Sequence, residues 1–238
     1  MTDAKESIKN RIKDSNPVDN GWTNRVYETS EGTIIKVFST HFFEALIFGS
    51  VDFLHGKSNI PFRNERLEKE VEMKQTLEKK GYSVPVIIEV YSNALEMERI
   101  EGKSIANVIE ELDLEEVRKL GEKTGDLVSS LHSEQISLGD ATLENFYIDS
   151  DKIYTIDHEY GSLNSDSFDK ERDVVHILSD ALEQETEKYQ AFRKGFEKSY
   201  REFASAELIA ATAFSIFTSL LAFQLQKLKR TLFNVVKI

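Results

Sequence analysis

The sequence predicts an α+β chain in two lobes, strand-rich first and helical afterwards, dividing near Glu101-Gly102. Three observations carry this expectation. Runs of β-branched and aromatic residues punctuated by turn residues fill most of the stretch up to Ile100. One long charged segment without Gly or Pro interrupts them. Beyond Gly102 the apolar spacing turns helical, broken only by one small hairpin. Residues 1–100 are therefore expected to form a sheet with one helix, and residues 101–238 a mostly helical lobe.

Lys5 to Lys13 reads as a short polar helix or a frayed tail. Trp22–Tyr27 and Thr33–Phe38 flank the Glu31-Gly32 turn, which is a hairpin signal. Phe42–Leu54 is apolar except for Glu44 and Asp52, too short and too interrupted to span a bilayer. A helix packed on the protein is the favoured reading there, and a membrane- or partner-facing surface the other. From Arg63 to Lys80, Leu67, Glu70, Val71, Lys74 and Leu77 share one helical face, with Gly81 as the stop and Pro85 beyond it. Val84–Tyr91 and Ala94–Ile100 read as strands around Ser92-Asn93. Ile105–Glu111 and Leu114–His132 read as helices, Phe146–Ile148 and Ile153–Ile156 as strands joined at Asp149-Ser150-Asp151, and the remainder from Phe168 as helix. Leu208–Phe223 carries no charge and is followed by Lys227, Lys229 and Arg230. A helix buried all round is favoured over a lipid contact with a basic flank.

Of the 238 residues, 40% are hydrophobic and 30% charged, the balance of a chain with a sizeable core. A formal net charge of −12 argues against direct nucleic-acid binding, which calls for a basic face. The absence of cysteine excludes disulfides and thiolate metal sites and fits an intracellular, cytoplasmic location. The charged stretch Met1–Asn16 lacks the apolar core of a signal peptide. His41, His55, His132 and His176 show no metal-ligand spacing.

The chemistry concentrates in Leu138–Asp157. Asp140 and Asn145 stand five positions apart, and Asp157 follows the next hairpin. Taken singly, each is an ordinary turn or cap residue. Together between strands they meet the needs of phosphoryl transfer: a carboxylate that orients the attacking hydroxyl, and oxygen ligands for Mg²⁺.

This block resembles the catalytic loop and metal-binding segment of the protein-kinase-like superfamily, H-x-D-x-x-x-x-N followed by D-F-G. Leu138 replaces the His, and Asp157-His158-Glu159 replaces D-F-G. The resemblance implies Asp140 as catalytic base and Asn145 and Asp157 as Mg²⁺ ligands. It implies Lys36, in Thr33-Ile34-Ile35-Lys36, on the phosphates of ATP, with Glu70 as its ion-pair partner. Gly21 and Val26 would belong to the phosphate-covering loop, which has one glycine where most relatives have three. The backbone of Glu98 and Ile100, in M-E-R-I-E-G, would meet adenine, and Asp173 would brace the catalytic loop.

Within the superfamily the sequence is most similar to the small kinase of the KEOPS tRNA-modification complex and, more distantly, to RIO kinases. The similarity runs from about Asn20 to Tyr200 and is densest in N-E-R-L-E-K-E-V-E-M-K-Q-T-L-E-K-K-G-Y-S-V-P, M-E-R-I-E-G and G-D-A-T-L-E-N. I-D-H-E-Y is similar to a segment of choline and aminoglycoside kinases, which makes Glu159 a candidate extra metal ligand and leaves His158 to pack beneath the charged helix. Asp173 follows Asp157 by only sixteen positions, too few for a long activation segment, and Gly139 stands where an Arg often precedes the base. The basic tail expected of the KEOPS kinase is missing. The implied function is transfer of the ATP γ-phosphate to a hydroxyl, first of a protein Ser or Thr, the chain itself included. A small-molecule or lipid acceptor and a non-catalytic interaction module, in either case with a protein complex partner admitted, are the alternatives.

Overall fold

Strand β3 (Thr33–Phe38) organises the sheet because both of its faces are claimed by apolar neighbours. The computed structural model describes residues 8, 11–13, 15–19, 24–39, 63–181 and 186–200. Gly21, Phe42–Leu54 and Leu208–Phe223 lie outside them. Along β3, Phe38 packs with Ile34 against Leu67 and Val71 of helix α1 (Arg63–Lys79), Leu95 and Met97. On the opposite face Ile35, with Val37, meets Ile8, Ile12, Tyr27, Tyr91 and Ala94. Period-two alternation is what sends neighbouring residues to opposite sides. The segment expected as a polar helix or tail therefore contributes two apolar side chains, Ile8 and Ile12, to a covering of the sheet.

The sheet is antiparallel, in the order β1 (Asn16–Asp19), β2 (Asn24–Glu28), β3, β5 (Ala94–Glu98), β4 (Ile87–Val90). Val26 and Leu95 stand opposite Lys36 on its two sides. β1 was not expected, since Asn16-Pro17-Val18-Asp19 has turn composition. It is an edge strand with an irregularity between Pro17 and Asp19, the setting in which a sheet tolerates proline. β4 is shorter than the expected Val84–Tyr91. Glu96 of β5 is buried and satisfied: Thr33 Oγ1 donates to it at 2.7 Å, Tyr91 Oη at 2.8 Å, and Arg11 pairs with it. Burial pushes its pKa up, but these donors outweigh burial and hold it below the usual range.

Helix α1 ends as its sequence foretold. Gly81 adopts φ +88°, and the N–H of Tyr82 donates to the Leu77 carbonyl at 3.0 Å, a glycine-terminated helix end. A small second sheet follows, with β6 (Lys103–Ser104), β7 (Phe146–Asp149) and β8 (Lys152–Thr155) in that order. β6 escaped the sequence because two residues carry no periodicity. Residue Thr155 donates its N–H to the Ser83 carbonyl at 3.1 Å.

The chain is α+β, with a small antiparallel sheet part and a helical part. It groups into two compact units, Met1–Val108 with Leu138–Leu163, and Ile109–Ser137 with Asn164–Ile238. In the helical unit, α3 (Leu114–Ser133) is opened by a capping box. Glu116 N–H donates to Asp113 Oδ1 at 2.9 Å, and Asp113 N–H to Glu116 Oε2 at 3.0 Å. It follows α2 (Ile105–Ile109) and precedes α4 (Ser167–Ala181) and α5 (Thr186–Ser199). Asp173 accepts from buried His132 Nε2 at 3.1 Å, and His132 Nδ1 lies 2.8 Å from Tyr200 Oη. Among the described residues no helix is long and apolar enough to cross a membrane.

α3 and α5 approach until backbone meets backbone. A Cβ on Gly121 would lie 2.1 Å from the Phe192 carbonyl oxygen. Gly121→Ala should therefore cost about 1–3 kcal/mol, the usual range for overpacking, read as a lowered denaturant midpoint at an unchanged m value.

Candidate active site

Lys36 projects from the middle of β3 on the face that meets α1, and it is buried. Its ammonium donates to Asp157 Oδ1 at 2.6 Å and lies 3.4 Å from Glu70 Oε2 and 3.2 Å from Glu159 Oε2. Glu70 reaches it because α1 is held against β3 by Phe38 and Leu67. Asp157 reaches it because β8 ends at Thr155 and the backbone then turns sharply: Asp157 adopts φ +59°, a left-handed conformation that Asp tolerates better than most residues.

The loop bearing Asp140 is tied to the same place. Asn145 Nδ2 donates to the Asp140 carbonyl at 2.8 Å and to Asp140 Oδ2 at 3.3 Å, which leaves the Asn145 amide oxygen as an acceptor. The 3-10 turn Leu143–Asn145 buries Leu143 and is closed by Asn145 N–H to the Thr142 carbonyl at 2.9 Å. Ile156 N–H donates to the Asn145 carbonyl at 3.0 Å, one residue before Asp157. Gly139 adopts φ +85°, and a Cβ there would sit 2.1 Å from the carbonyl oxygen of Tyr160. The loop before the candidate base thus presses on the segment after Asp157 with no room for a side chain.

The electrostatics follow from burial and pairing. Burial lowers the Lys36 pKa, but Asp157, Glu159 and Glu70 outweigh it and hold the ammonium well above its ordinary range. Burial raises Glu70, yet Lys36 and Lys74 win and bring it down to about 2. Lys74 Nζ lies 3.3 Å from Glu70 Oε1, and its burial leaves it below the usual lysine range. Asp157 goes the other way: burial, opposed by Lys36 and reinforced by Glu159 and Glu70, raises it to about 6. His158 is buried with Nδ1 4.0 Å from Glu70 Oε1 and Nε2 2.9 Å from Thr155 Oγ1, and burial with Lys74 lowers it to about 3, so it is neutral.

Among the described residues, the structure gathers Lys36, Glu70 and Asp157 into one ionic cluster, and Asp140 with Asn145 into one loop bonded to Ile156, the residue before Asp157. Val26 is half-buried in β2 opposite Lys36. Glu98 ends β5, exposed, with its N–H donated to the Val86 carbonyl at 2.9 Å. Ile100 follows, half-buried. The sequence did not reveal Arg66 and Asn24, which both bond Glu159. Arg66 precedes Glu70 by one helical turn, and that spacing was the available signal.

Glu70, Asp157 and Glu159 each offer a carboxylate oxygen within 4.8 Å of the others. Hard oxygen donors of this kind, with the amide oxygen of Asn145, suit Mg²⁺.

No protein-family model matches the chain. It is 32% identical over 149 residues to a probable bifunctional tRNA threonylcarbamoyladenosine biosynthesis protein of Methanosarcina mazei, covering 62% of this chain and 26% of that protein. It is 29% identical over 142 residues to the KEOPS complex subunit Bud32 of Pyrococcus abyssi, covering 59% and 63%. It is 26% identical over 166 residues to a probable serine/threonine-protein kinase BUD32 homolog of Archaeoglobus fulgidus, covering 64% and 80%. The chain thus spans about a quarter of the first relative and under two thirds of the second. Among solved structures, WaaP in complex with acyl carrier protein matches with a TM-score of 0.60 at 12% identity, covering 89% of this chain and 90% of that one. The streptomycin–ATP complex of APH(2″)-IIa matches with a TM-score of 0.58 at 12% identity, covering 89% and 84%.

The chain has a protein-kinase-like fold. In that fold, the cluster around Lys36 and the loop at Asp140 occupy the β-rich unit and the hairpin packed with it.

Lys36→Met would leave three carboxylates facing one another without their shared cation. The folded-state pKa values of Glu70 and Asp157, both held down by Lys36, would then rise, so the folded state would hold extra protons and lose stability as pH rises. The raised Asp157 carries the same sign in the wild type, whose stability should fall as pH rises from 3.8 to about 6. Urea midpoints at pH 5 and pH 8 should fall much further apart in Lys36→Met than in wild type.

Proposed function

We propose that the protein is an ATP-dependent kinase that transfers the γ-phosphate to a hydroxyl group. The observation that carries the reading is the buried ammonium of Lys36 held between Glu70 and Asp157, with Asn145 bonded both to Asp140 and to the residue before Asp157. Phosphoryl transfer is catalysed by positioning and by charge, and this cluster supplies both.

In this reading Lys36 binds the α- and β-phosphates and Glu70 fixes its direction. Asp157 and the Asn145 amide oxygen would hold Mg²⁺, which would supply positive charge against that of the phosphates. Asp140 accepts the proton of the attacking hydroxyl, and its orientation is set by the two bonds from Asn145. Gly21 and Val26 cover the phosphates, and the backbone of Glu98 and Ile100 meets adenine. The acceptor is a protein Ser or Thr hydroxyl, supported by the kinase name of the Archaeoglobus relative. Work within a protein complex, in tRNA modification, is supported by the names of the other two relatives.

The test is nucleotide-dependent thermal stabilisation together with phosphate release and transfer from labelled ATP. Wild-type protein should be stabilised by Mg-ATP and turn it over. Asp157→Ala should lose the magnesium-dependent part of that stabilisation. Asp140→Ala should keep it while turnover falls by about 10²–10⁴, the range for a lost general base. Turnover that survives Asp140→Ala, or stabilisation indifferent to magnesium, would sink the reading. Label in protein bands rather than in an extracted metabolite pool would fix the acceptor class.

A further inference from the structure

Glu159 is almost completely buried, and its bonds reach three separate elements. Oε1 accepts from Arg66 Nη1 of α1 at 3.1 Å. Oε2 accepts from Asn24 Nδ2 at the start of β2 at 3.0 Å and lies 3.2 Å from Lys36 Nζ of β3. Arg66 is itself fastened: Nη2 donates to the Ser39 carbonyl at 2.6 Å, Nη1 lies 3.5 Å from Tyr160 Oη, and the guanidinium stands 5.9 Å from the Phe38 ring centre. From Arg66 the contacts run through Glu159 and Tyr160 to Gly139, whose missing side chain admits the Tyr160 carbonyl beside Asp140.

Proximity places Glu159 in the carboxylate group that suits a cation. Its surroundings argue the other way. Each of its oxygens already faces a cationic nitrogen, and a divalent ion on the same oxygens would meet Arg66 and Lys36 at close range. Access points in the same direction: the Glu159 side chain is 1% exposed and that of Asp157 31%, whereas Mg²⁺ keeps several waters and needs room for them.

We infer that Glu159 is a positioning residue and not a metal ligand: with Arg66 and Asn24 it latches α1 and the start of β2 to the metal segment. The latch fixes Glu70 and Asp157 relative to each other, and through Tyr160 it sets the loop of Asp140. It rests on the kinase reading above, because its product is a geometry useful for that reaction.

The experiment is a manganese titration by electron paramagnetic resonance with a non-hydrolysable ATP analogue, paired with steady-state turnover. The proteins are the full chain in wild-type form and as E159Q, R66M, the R66M/E159Q double variant and D157A. E159Q keeps the shape of the side chain, and thermal unfolding confirms that each variant is folded. Manganese affinity should stay within about threefold of wild type in E159Q and R66M while turnover falls about 10–100-fold, the usual cost of a residue that orients a ligand. The double variant should be no worse than the poorer single one, because the two residues act as one unit. D157A should lose manganese. Loss of manganese in E159Q comparable to D157A would make Glu159 a ligand and overturn the inference. Unchanged turnover, or additive losses in the double variant, would overturn it as well. A wild-type protein that binds no manganese–nucleotide would instead bring down the kinase reading, and the inference with it.

Discussion

A single buried ammonium governs the β-rich unit. Lys36 could not be charged in that place without Asp157, Glu159 and Glu70 around it, and those three could not stand so close without Lys36 between them. An unpaired buried charge costs several kcal/mol, so each partner is retained by the others. The cluster therefore specifies more than an ion pair. It requires that a strand, a helix and the residue after a distant hairpin all arrive at one point, and the apolar contacts of Phe38 and Leu67 are what bring the helix there. Stability and chemistry share the same atoms.

The local elements were legible because their signals are local. Gly32 and Gly81 both adopt positive φ where the sequence placed a hairpin turn and a helix end. The capping residues Asp113 and Glu116 sit where Leu114 was read as a helix start. β1 was hidden by Pro17, and β6 by having two residues. Both are defined by the strands they pair with rather than by any pattern of their own. The candidate site divides in the same way. Asp140, Asn145 and Asp157 announce themselves by spacing. The bonds of Glu159 to Arg66 and Asn24 span 93 and 135 positions, and nothing in either neighbourhood signals the other.

The charge balance of the whole chain also takes on meaning at this scale. Although the net charge is −12, the interior of the site is close to neutral, with Lys36, Lys74 and Arg66 set against Glu70, Asp157 and Glu159. The excess acid lies elsewhere, part of it around the start of α3, where Glu110, Glu111, Asp113, Glu115 and Glu116 cluster. In the kinase reading, a polyanionic nucleotide would approach a chain of net negative charge and, among the described residues, meet the buried cation Lys36 at the site. Such an arrangement ties occupancy closely to divalent-ion concentration.

Gly139 shows how little slack the arrangement has. Its left-handed backbone and its contact with the Tyr160 carbonyl mean that the loop of Asp140 and the segment of Asp157 are two sides of one seam. An arginine at this position, the usual receiver of a regulatory phosphate, could not be introduced without prising the seam open. Any lineage starting from this chain would have to rebuild the backbone before it could acquire that form of control, so the route by which many kinases became switchable is closed here by a missing methyl group's worth of space.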